Sequence, residues 1–400
     1  MTDMWPIAAN MKPFLQEIWK KSGFTQPTAI QSKAIPLILD GRDVVAESPT
    51  GTGKTIAYLL PALQKIDPGK KDAQTVILAP TRELVMQIQQ VIQKWTEGSD
   101  IHATALIGGA DLKRQLEKLK QHPQIVVGTA NRILELINMK KLKMHEVKTI
   151  VFDEGDQLLV PEAMDTIQNI IKTTLQDRQV VCFSATVSAK TEQLVKEMMK
   201  HPEIIRIKAD TLAPSKAEHI YFLCEPREKM DLLRRIVKMD QIKGLAFIND
   251  MNYFHTVAAR LQDRGISFGA LSGESKKTER ESALKNFRDG KFPLLLVTDV
   301  AARGLDIEGL THVIHVDFPK DLTQYVHRSG RTGRMGATGT IISMVTEREE
   351  RVLQQYSRKL GIPIHKKSLH MGKVLDAKRN QSVSNQTKKT TPQPTSKRKG

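Results

Sequence analysis

Short apolar runs bounded by turn residues alternate with stretches of helical periodicity along most of the chain. In the first half, the runs that predict β-strands are residues 43–46, 75–79, 103–107, 125–128, 149–153 and 180–184. In the second half they are residues 219–224, 244–248, 267–271, 294–298, 313–316 and 340–345. Amphipathic stretches such as residues 82–95 and 254–263 lie between them. Strand–helix alternation at this spacing predicts an α/β fold with parallel sheets and right-handed crossovers.

Two polar segments interrupt this pattern and predict the domain boundaries. Residues 209–218 are polar and contain a proline, so we interpret them as a hinge between an N-terminal domain at 1–208 and a C-terminal domain at 219–370. From residue 371 to 400, Asn, Gln, Ser, Thr, Pro and Lys dominate, which predicts a disordered basic tail. The basic end of this tail is either simply solvated or a weak, salt-sensitive RNA tether.

The charge balance narrows the class of partner. The chain of 400 residues carries 61 Lys and Arg against 44 Asp and Glu, a net charge of +17. Such a balance favours nucleic acid over a membrane surface, although solubility alone is the alternative. Cys182 and Cys224 lie in apolar runs, so we expect small buried hydrophobic side chains in a reducing, cytoplasmic setting. No run of eighteen apolar residues occurs, so no membrane span is expected.

Two segments carry the chemistry of a nucleoside triphosphate site. The first, residues 48–55, is a glycine-containing loop between a predicted strand and a predicted helix, although Ser48 stands where the strict phosphate-loop pattern has glycine. Backbone N–H groups of such a loop bind phosphate, Lys54 adds a charge and Thr55 offers a hydroxyl to Mg²⁺. The second segment ends a predicted strand with Asp153 and Glu154, which suit a Mg²⁺ and a water-activating base. The alternative for these carboxylates is a solvated strand end.

These segments belong to an ordered series of motifs. In chain order, the series is residues 23–31 (GFTQPTAIQ), 80–84 (PTREL), 108–109 (GG), 129–132 (TANR), 153–156 (DEGD), 184–186 (SAT), 246–249 (AFIN), 298–306 (TDVAARGLD) and 327–334 (HRSGRTGR). Over roughly residues 20–350 the series resembles the DEAD-box RNA helicases. The resemblance implies two tandem RecA-like domains, with ATP and Mg²⁺ as cofactors between them and RNA lying across both.

The resemblance also implies individual roles at the nucleotide. The loop residues Thr50, Gly51, Thr52, Gly53, Lys54 and Thr55 would bind phosphate, with Thr55 and Asp153 setting Mg²⁺. Glu154 would activate water, and Arg331 and Arg334 would be arginine fingers from the second domain; a plain phosphate-binding patch is their alternative. Phe24 and Gln31 would recognise adenine, unless Phe24 is core packing, and Asp306 would contact the ribose. Four residues would couple hydrolysis to the domain interface: Asp156, Ser184, Thr186 and His327. The alternative for Ser184 and Thr186 is that their hydroxyls only cap a helix.

The RNA contacts implied by the resemblance are Thr81, Arg82, Gly109, Thr129, Arg132, Thr298 and Gly304. These hydroxyls, guanidinium groups and glycines suit sugar and phosphate contacts, so we expect sequence-independent binding. The sequence departs from the family at three places. Gly155 replaces alanine and is expected to lower catalytic precision slightly; residues 129–132 read TANR in place of TPGR; and Lys277 stands where glutamine is usual.

The prediction is therefore an RNA-dependent ATPase that unwinds short RNA duplexes locally. An ATP-dependent RNA clamp is the main alternative, and a DNA translocase is less consistent with the Phe24–Gln31 pair. The resemblance favours a monomer of the bacterial, minimal type, acting in ribosome assembly, with ribosomal precursor particles as partners, or in RNA structure remodelling.

Overall fold

A computed structural model describes residues 5–24, 26–207, 217–239, 241–302, 305, 307, 309–333, 338–370 and 373–376. Three predicted site residues lie outside this range: Gly304, Asp306 and Arg334. So do most of the predicted hinge and nearly all of the predicted tail.

The first half of the chain alternates helices with short strands. Its helices are α1 Pro6–Ala9, α2 Pro13–Lys21, α3 Ala29–Leu39, α4 Lys54–Lys65, α5 Arg82–Trp95, α6 Leu112–Leu119, α7 Ala130–Asn138, α8 Gly155–Leu158, α9 Pro161–Lys172 and α10 Ala189–Lys196. Its strands are β1 Val44–Glu47, β2 Thr75–Leu78, β3 Ala103–Leu106, β4 Ile125–Gly128, β5 Thr149–Asp153, β6 Gln179–Ser184 and β7 Glu203–Arg206.

The second half repeats this alternation. Its strands are β8 Ala217–Leu223, β9 Gly244–Phe247, β10 Phe268–Leu271, β11 Leu294–Val297, β12 His312–His315, β13 Gly339–Val345, β14 His365–His370 and β15 Lys373–Asp376. Its helices are α11 Lys229–Val237, α12 Met251–Asp263, α13 Lys277–Arg288, α14 Asp299–Ala302, α15 Leu322–Ser329 and α16 Glu347–Leu360, with a short 3-10 helix at Pro226–Glu228.

The two halves form two sheets with the same internal order. The first sheet has the order β3-β4-β2-β5-β6-β1-β7, and all its pairs are parallel. The second has the order β10-β11-β9-β12-β13-β8-β14-β15. If β8 to β14 are counted as first to seventh, the two orders are identical. The predicted α/β class with tandem parallel sheets is therefore confirmed, except that β15 pairs antiparallel with β14.

The hydrophobic core explains why these strands form where they do. Successive residues of a strand face opposite sides of the sheet. In β1, Val44 and Ala46 pack into the apolar cluster on one face, whereas Val45 packs into the cluster on the other. Phe183 and Cys182 of β6 divide in the same way. Both faces of the central strands are covered by helices, which accounts for their continuous apolar sequence.

Two predicted boundaries need correction. Ala217 and Glu218, assigned to the hinge, are the first residues of β8 and pair with β13. The segment from residue 371 was predicted to be disordered, but Lys373–Asp376 form β15. Strand pairing with β14 supplies the backbone hydrogen bonds there, and Val374 packs against the core, which a composition argument does not capture. Within the described ranges, no helix has the length and apolar character that spanning a bilayer requires.

Candidate active site

The sheet order brings the chemical segments of the first domain together. The neighbouring strands β5, β6 and β1 each end in a predicted site segment, although they are far apart in sequence. The loop at 48–53 follows β1, Asp153 is the last residue of β5, and Ser184 is the last residue of β6. Since parallel strands share one carboxyl edge, these segments converge there. Ser48 N–H donates to Ser184 O at 3.0 Å, which joins two of them directly.

The loop at 48–53 has the backbone geometry of a phosphate cradle. Gly51 and Gly53 have φ of 77° and 85°, a region that favours glycine. Lys54, the first residue of α4, donates through Nζ to Ser48 O at 2.6 Å and Pro49 O at 3.2 Å. Burial lowers the pKa of Lys54, an effect opposed by the neighbouring carboxylates.

The hydroxyls of this loop explain its departure from the strict phosphate-loop pattern. Ser48 is fully buried, and its Oγ lies 2.8 Å from Thr52 Oγ1, which also donates to Pro49 O at 2.8 Å. Ser48 has no positive φ, so the position does not need glycine. Thr52 therefore stabilises the loop internally, whereas Thr55 lies in the first turn of α4 and Thr50 faces the second domain.

The two carboxylates at the end of β5 differ in their surroundings. Asp153 is buried, with Oδ1 accepting from Glu154 N–H at 2.9 Å and Oδ2 accepting from the Tyr58 hydroxyl at 2.8 Å. Burial and the charge of Glu154 raise the pKa of Asp153 to about 6. Burial, followed by the charge of Asp153, raises the pKa of Tyr58 well above its usual range, so that its hydroxyl stays a donor.

Glu154 is held in an uncommon conformation. Its φ is 51°, in the left-handed region that non-glycine residues seldom adopt, and such strain clusters at functional sites. Its Oε2 is buried with no hydrogen-bond partner among the described residues, and its Oε1 lies 3.8 Å from Arg331 Nη2. The carboxylates of Asp153 and Glu154 and the hydroxyl of Thr55 are hard oxygen donors, the type of group that Mg²⁺ and its water ligands bind.

Gly155 is coupled to Cys182 of β6. A Cβ on Gly155 would lie 2.5 Å from Cys182 Sγ, far inside contact distance. The sulfur therefore fills the space that an alanine methyl at position 155 would need. The expectation that Gly155 loosens the catalytic segment is weakened, because the neighbouring volume is occupied by a buried side chain.

We expect Gly155→Ala to destabilise the first domain by about 1–3 kcal/mol through overpacking and to lower ATP turnover. Gly155 has no positive φ, so the backbone itself accepts alanine. Adding Cys182→Ala should restore most of both losses, with a coupling free energy of about 1 kcal/mol or more. The coupling is measured by thermal unfolding and by ATP turnover. Both are compared among the parent, the two single variants and the double variant. Additive losses would contradict the steric coupling.

The two predicted adenine residues lie in different surroundings: Phe24 in an aromatic cluster, and Gln31 beside the loop at 48–53. Phe24 is half-buried and stacks on Trp95, with ring centroids 6.2 Å apart, while Trp19 contacts both rings and Trp5 packs on Trp19. Phe24 thus contributes to packing through its contacts with the tryptophans. Stacking of adenine on the Phe24 ring stays a prediction. Gln31 is buried beside the loop, and its Nε2 donates to Gly53 O at 3.3 Å.

The predicted coupling residues form one network. Asp156 Oδ1 accepts from Ser184 Oγ at 2.6 Å, and Asp156 Oδ2 accepts from Thr186 Oγ1 at 3.0 Å. His327 Nε2, from the second domain, lies 2.8 Å from Asp156 Oδ2. Burial would raise the pKa of Asp156, but His327 and the two hydroxyls outweigh it and hold that pKa below its usual range. Gln157 Nε2 lies 2.6 Å from His327 Nδ1, a contact that the sequence interpretation missed although Gln157 adjoins Asp156.

Other contacts also join the two domains at this edge. Arg331 is 7% exposed and donates to His327 O and Leu305 O, which holds its guanidinium toward Glu154. Thr50 Oγ1 donates to Gly330 O at 3.2 Å. Further along the cleft, Arg280 Nε lies 3.1 Å from Glu83 Oε1.

The predicted RNA-binding residues of the first domain lie at the same carboxyl edge of the sheet, but after the strands on the other side of β5. Thr81, Gly109 and Thr129 follow β2, β3 and β4, which are neighbours in the first sheet. Arg82 is exposed and packs over Gly109, where a Cβ would lie 2.2 Å from Arg82 Nη2. Thr298 follows β11, the equivalent of β4 in the second sheet, but is buried and accepts from Ala301 N–H at 3.3 Å.

Arg132 departs from the exposed position that a phosphate contact needs. It is 7% exposed, and its Nε lies 3.0 Å from Glu135 Oε2 on the same helix. Its Nη1 is buried without a hydrogen-bond partner in the part of the chain that the structure describes. A direct contact between this guanidinium and RNA would require the side chain to leave Glu135, so the role of Arg132 stays a prediction.

Comparison with known proteins places these features in a family context. The family model described as DEAD/DEAH box helicase matches residues 28–194, and that described as helicase conserved C-terminal domain matches residues 228–336. The chain is 53% identical over 371 residues to DEAD-box ATP-dependent RNA helicase CshC of Bacillus cereus, covering 92% of this chain and 95% of that protein. It is 50% identical to probable ATP-dependent RNA helicase YfmL of Bacillus subtilis, covering 94% and 99%.

Two solved structures are similar to the chain over most of its length, to different degrees. Dbp5 of S. cerevisiae bound to RNA and ADP BeF3 aligns with a TM-score of 0.82 at 27% identity, covering 89% of this chain and 94% of that one. A DEAD box protein from Methanococcus jannaschii aligns with a TM-score of 0.53 at 31% identity, covering 89% and 97%.

Proposed function

Because the chain belongs to the DEAD-box family of ATP-dependent RNA helicases, we propose that it separates short RNA duplexes locally through ATP-driven closure of its two domains. The predicted family and the tandem of RecA-like domains are confirmed by the relatives and by the fold. The closure mechanism, the residue roles and the biological target are the proposal.

One observation carries the proposal: the second domain contacts the candidate active site of the first at three separate points. Thr50 of the phosphate loop bonds to Gly330, Glu154 faces Arg331, and Asp156 faces His327. All three contacts involve α15 or the turn just after it, so a displacement of this single element would break them together. A site divided in this way is complete only when the domains are together, which couples hydrolysis to closure.

In this proposal, the residues of the first domain bind and orient ATP, and the second domain completes the catalytic site. Lys54 and the loop amides hold the phosphates, while Phe24 and Gln31 contact the adenine. Thr55 and Asp153 would hold Mg²⁺, which neutralises charge on the phosphates when it is bound. Glu154 orients and deprotonates the attacking water, since its Oε2 accepts no hydrogen bond from the residues that the structure describes. Arg331 stabilises the charge that develops on the γ-phosphoryl group.

RNA is proposed to lie across the equivalent halves of both sheets. Arg82, Gly109 and Thr129 of the first domain would contact the sugar–phosphate strand, together with Thr298 and Gly304 of the second. The salt bridge between Arg280 and Glu83 adjoins this surface, because Glu83 follows Arg82 directly. When the domains close on ATP, a strand bound across both must adapt to their fixed spacing. We propose that this distortion releases the complementary strand.

Duplex separation is favoured over an ATP-dependent clamp by the surroundings of Gly155. The clamp hypothesis draws on the DEGD sequence, since a looser catalytic segment would slow hydrolysis. The filled space between Gly155 and Cys182 argues against such looseness. Hydrolysis followed by release of the strand is therefore the main proposed output.

The proposal is tested with purified full-length protein and a short RNA duplex that carries a single-stranded overhang. We expect strand separation with ATP, little with a nonhydrolysable analogue, and none for Lys54→Ala. Glu154→Gln should bind RNA tightly with ATP and release it slowly, because the water-activating carboxylate is lost while the binding groups remain.

The alternatives give different results in the same assay. Tight ATP-dependent RNA binding by the parent protein without strand separation would indicate a clamp. ATP turnover that RNA does not stimulate would contradict the proposed coupling, and fast RNA release by Glu154→Gln would contradict its role as base.

The target and location remain part of the proposal. We propose a cytoplasmic protein that acts on structured RNA in ribosomal precursor particles, consistent with the net charge of +17 and the backbone-directed RNA residues. Crosslinking RNA to the protein in cells and sequencing it tests this; an RNA set without ribosomal precursors would contradict the target.

A further inference from the structure

The buried hydroxyl of Tyr58 is not among the groups that are proposed to bind ATP or to activate water. Tyr58 lies one helical turn after Lys54 on α4 and is 1% exposed. Its ring packs against Phe183 of β6, with centroids 5.5 Å apart. Its hydroxyl donates to Asp153 Oδ2 at 2.8 Å, so a residue of the phosphate-binding helix holds the carboxylate that ends β5.

Both oxygens of Asp153 are fixed by the protein. Glu154 N–H bonds to Oδ1 at 2.9 Å, and the Tyr58 hydroxyl bonds to Oδ2. The two donors come from different elements and set the rotation of the carboxylate plane. Each carboxylate oxygen can accept two hydrogen bonds, and each accepts one from the residues that the structure describes, which leaves one further acceptor position on each. These positions are available to an ion or to its water ligands.

We propose that Tyr58 is a positioning residue for the divalent cation: it holds Asp153 in the orientation that receives Mg²⁺ beside the phosphate loop. The inference rests on the proposed role of Asp153 as a magnesium residue. Outer partners of this kind orient a metal-binding side chain, and their loss typically costs about 10- to 100-fold in metal affinity or activity. Tyr58 thereby links the helix that follows the phosphate loop to the carboxylate across the site.

The substitution Tyr58→Phe removes this contact, together with the contact of the same hydroxyl with Thr55, the other predicted magnesium residue. Phenylalanine keeps the ring against Phe183 and removes only the hydroxyl, so the fold is retained while Oδ2 loses its donor. Tyr221→Phe is the matched control, since the Tyr221 side chain is also buried and donates to a carboxylate, Glu350 Oε1, at 2.7 Å. That pair lies in the second domain, between β8 and α16, and neither residue has a predicted role in binding nucleotide or metal.

The test uses Mn²⁺ as the probe, with free Mn²⁺ measured by electron paramagnetic resonance in the presence of ADP. We expect Tyr58→Phe to weaken Mn²⁺ binding by about 10-fold, and Tyr221→Phe to leave it unchanged. In ATP turnover, the half-saturating Mg²⁺ concentration of Tyr58→Phe should rise by a similar factor, while kcat at saturating Mg²⁺ stays within about threefold of the parent.

The outcomes separate this inference from the proposed function. If the parent protein binds Mn²⁺ with ADP and Tyr58→Phe binds it equally well, the positioning role of Tyr58 is overturned and the function stands. A lower kcat at unchanged metal affinity also overturns it. If the parent shows no Mn²⁺ binding in the presence of ADP, the magnesium role of Asp153 fails, and the inference fails with it.

Discussion

Replacing Arg331 with alanine is expected to lower RNA-stimulated ATP turnover by about 10³-fold or more, because an inserted arginine finger is worth about 10³ to 10⁵ in rate. Arg331 is buried between the domains, and the carbonyl groups of His327 and Leu305 aim it at Glu154. ATP binding should change little, since all the predicted nucleotide-binding residues except Asp306 belong to the first domain. The rate is measured as ATP turnover at saturating RNA. The affinity for ATP is measured by calorimetry.

Two further variants define the cause. Arg331→Lys keeps the charge but not the planar fork, so it should recover only a small part of the rate. Arg235→Ala removes a guanidinium that donates to Leu369 O elsewhere in the second domain, and it should leave turnover unchanged. An Arg331→Ala protein with a rate within a few fold of the parent would contradict the arginine-finger role.

Gly330→Ala is expected to block closure while each domain stays folded. A Cβ on Gly330 would lie 1.6 Å from Thr50 Oγ1 and 2.9 Å from Thr50 Cβ. The φ of Gly330 is −69°, which alanine adopts without strain, so the conflict is entirely between domains. A displacement of reacting groups by about 1 Å can cost about 10²-fold, and we expect a loss of at least that size in RNA-stimulated turnover.

Closure is followed by the distance between spin labels placed one on each domain, with RNA and a nonhydrolysable nucleotide added. The Gly330→Ala distance should stay at its ligand-free value. Combining it with Thr50→Ala, which removes the clashing hydroxyl, should restore part of the closure. Gly244→Ala is the control, because a Cβ there meets its nearest neighbours at ordinary distances of 3.5–3.7 Å. Full closure of Gly330→Ala would mean that Thr50 and Gly330 do not meet in the active state.

The sequence predicts twelve strands well, including the edge strands β3 and β10, but misses three strands near the opposite edges of the two sheets. Buried parallel strands such as β2 and β11 are continuous apolar runs, so their existence and approximate bounds are predicted correctly. The strands β7, β14 and β15 are missed. The strands β7 and β15 lie at sheet edges, and β14, which lies next to β15 and has the sequence HKKSLH, is mostly polar. Such strands form because a neighbour offers backbone hydrogen bonds, and the strand's own side chains carry little sign of it.

Some features of the candidate site could also be predicted from the sequence, whereas others could not. Motif order indicates Lys54, Asp153 and Glu154 because their chemistry is local to short segments. The contact of Tyr58 with Asp153 and the contact of Gly155 with Cys182 depend on which strands and helices become neighbours, so the sequence alone gives no distance between them. The predicted roles of Phe24, Arg132 and the RNA-contacting threonines stay predictions.

The aromatic cluster around Phe24 allows nucleotide binding to be followed by intrinsic tryptophan fluorescence. The chain has three tryptophans, Trp5, Trp19 and Trp95, and all of them belong to this cluster in the first domain. Indole emission therefore originates within two ring contacts of Phe24, the proposed adenine residue, and no tryptophan of the second domain adds to it. Nucleotide occupancy can be followed by quenching in the unmodified protein, and a single tryptophan introduced into the second domain would report on that domain's movement separately.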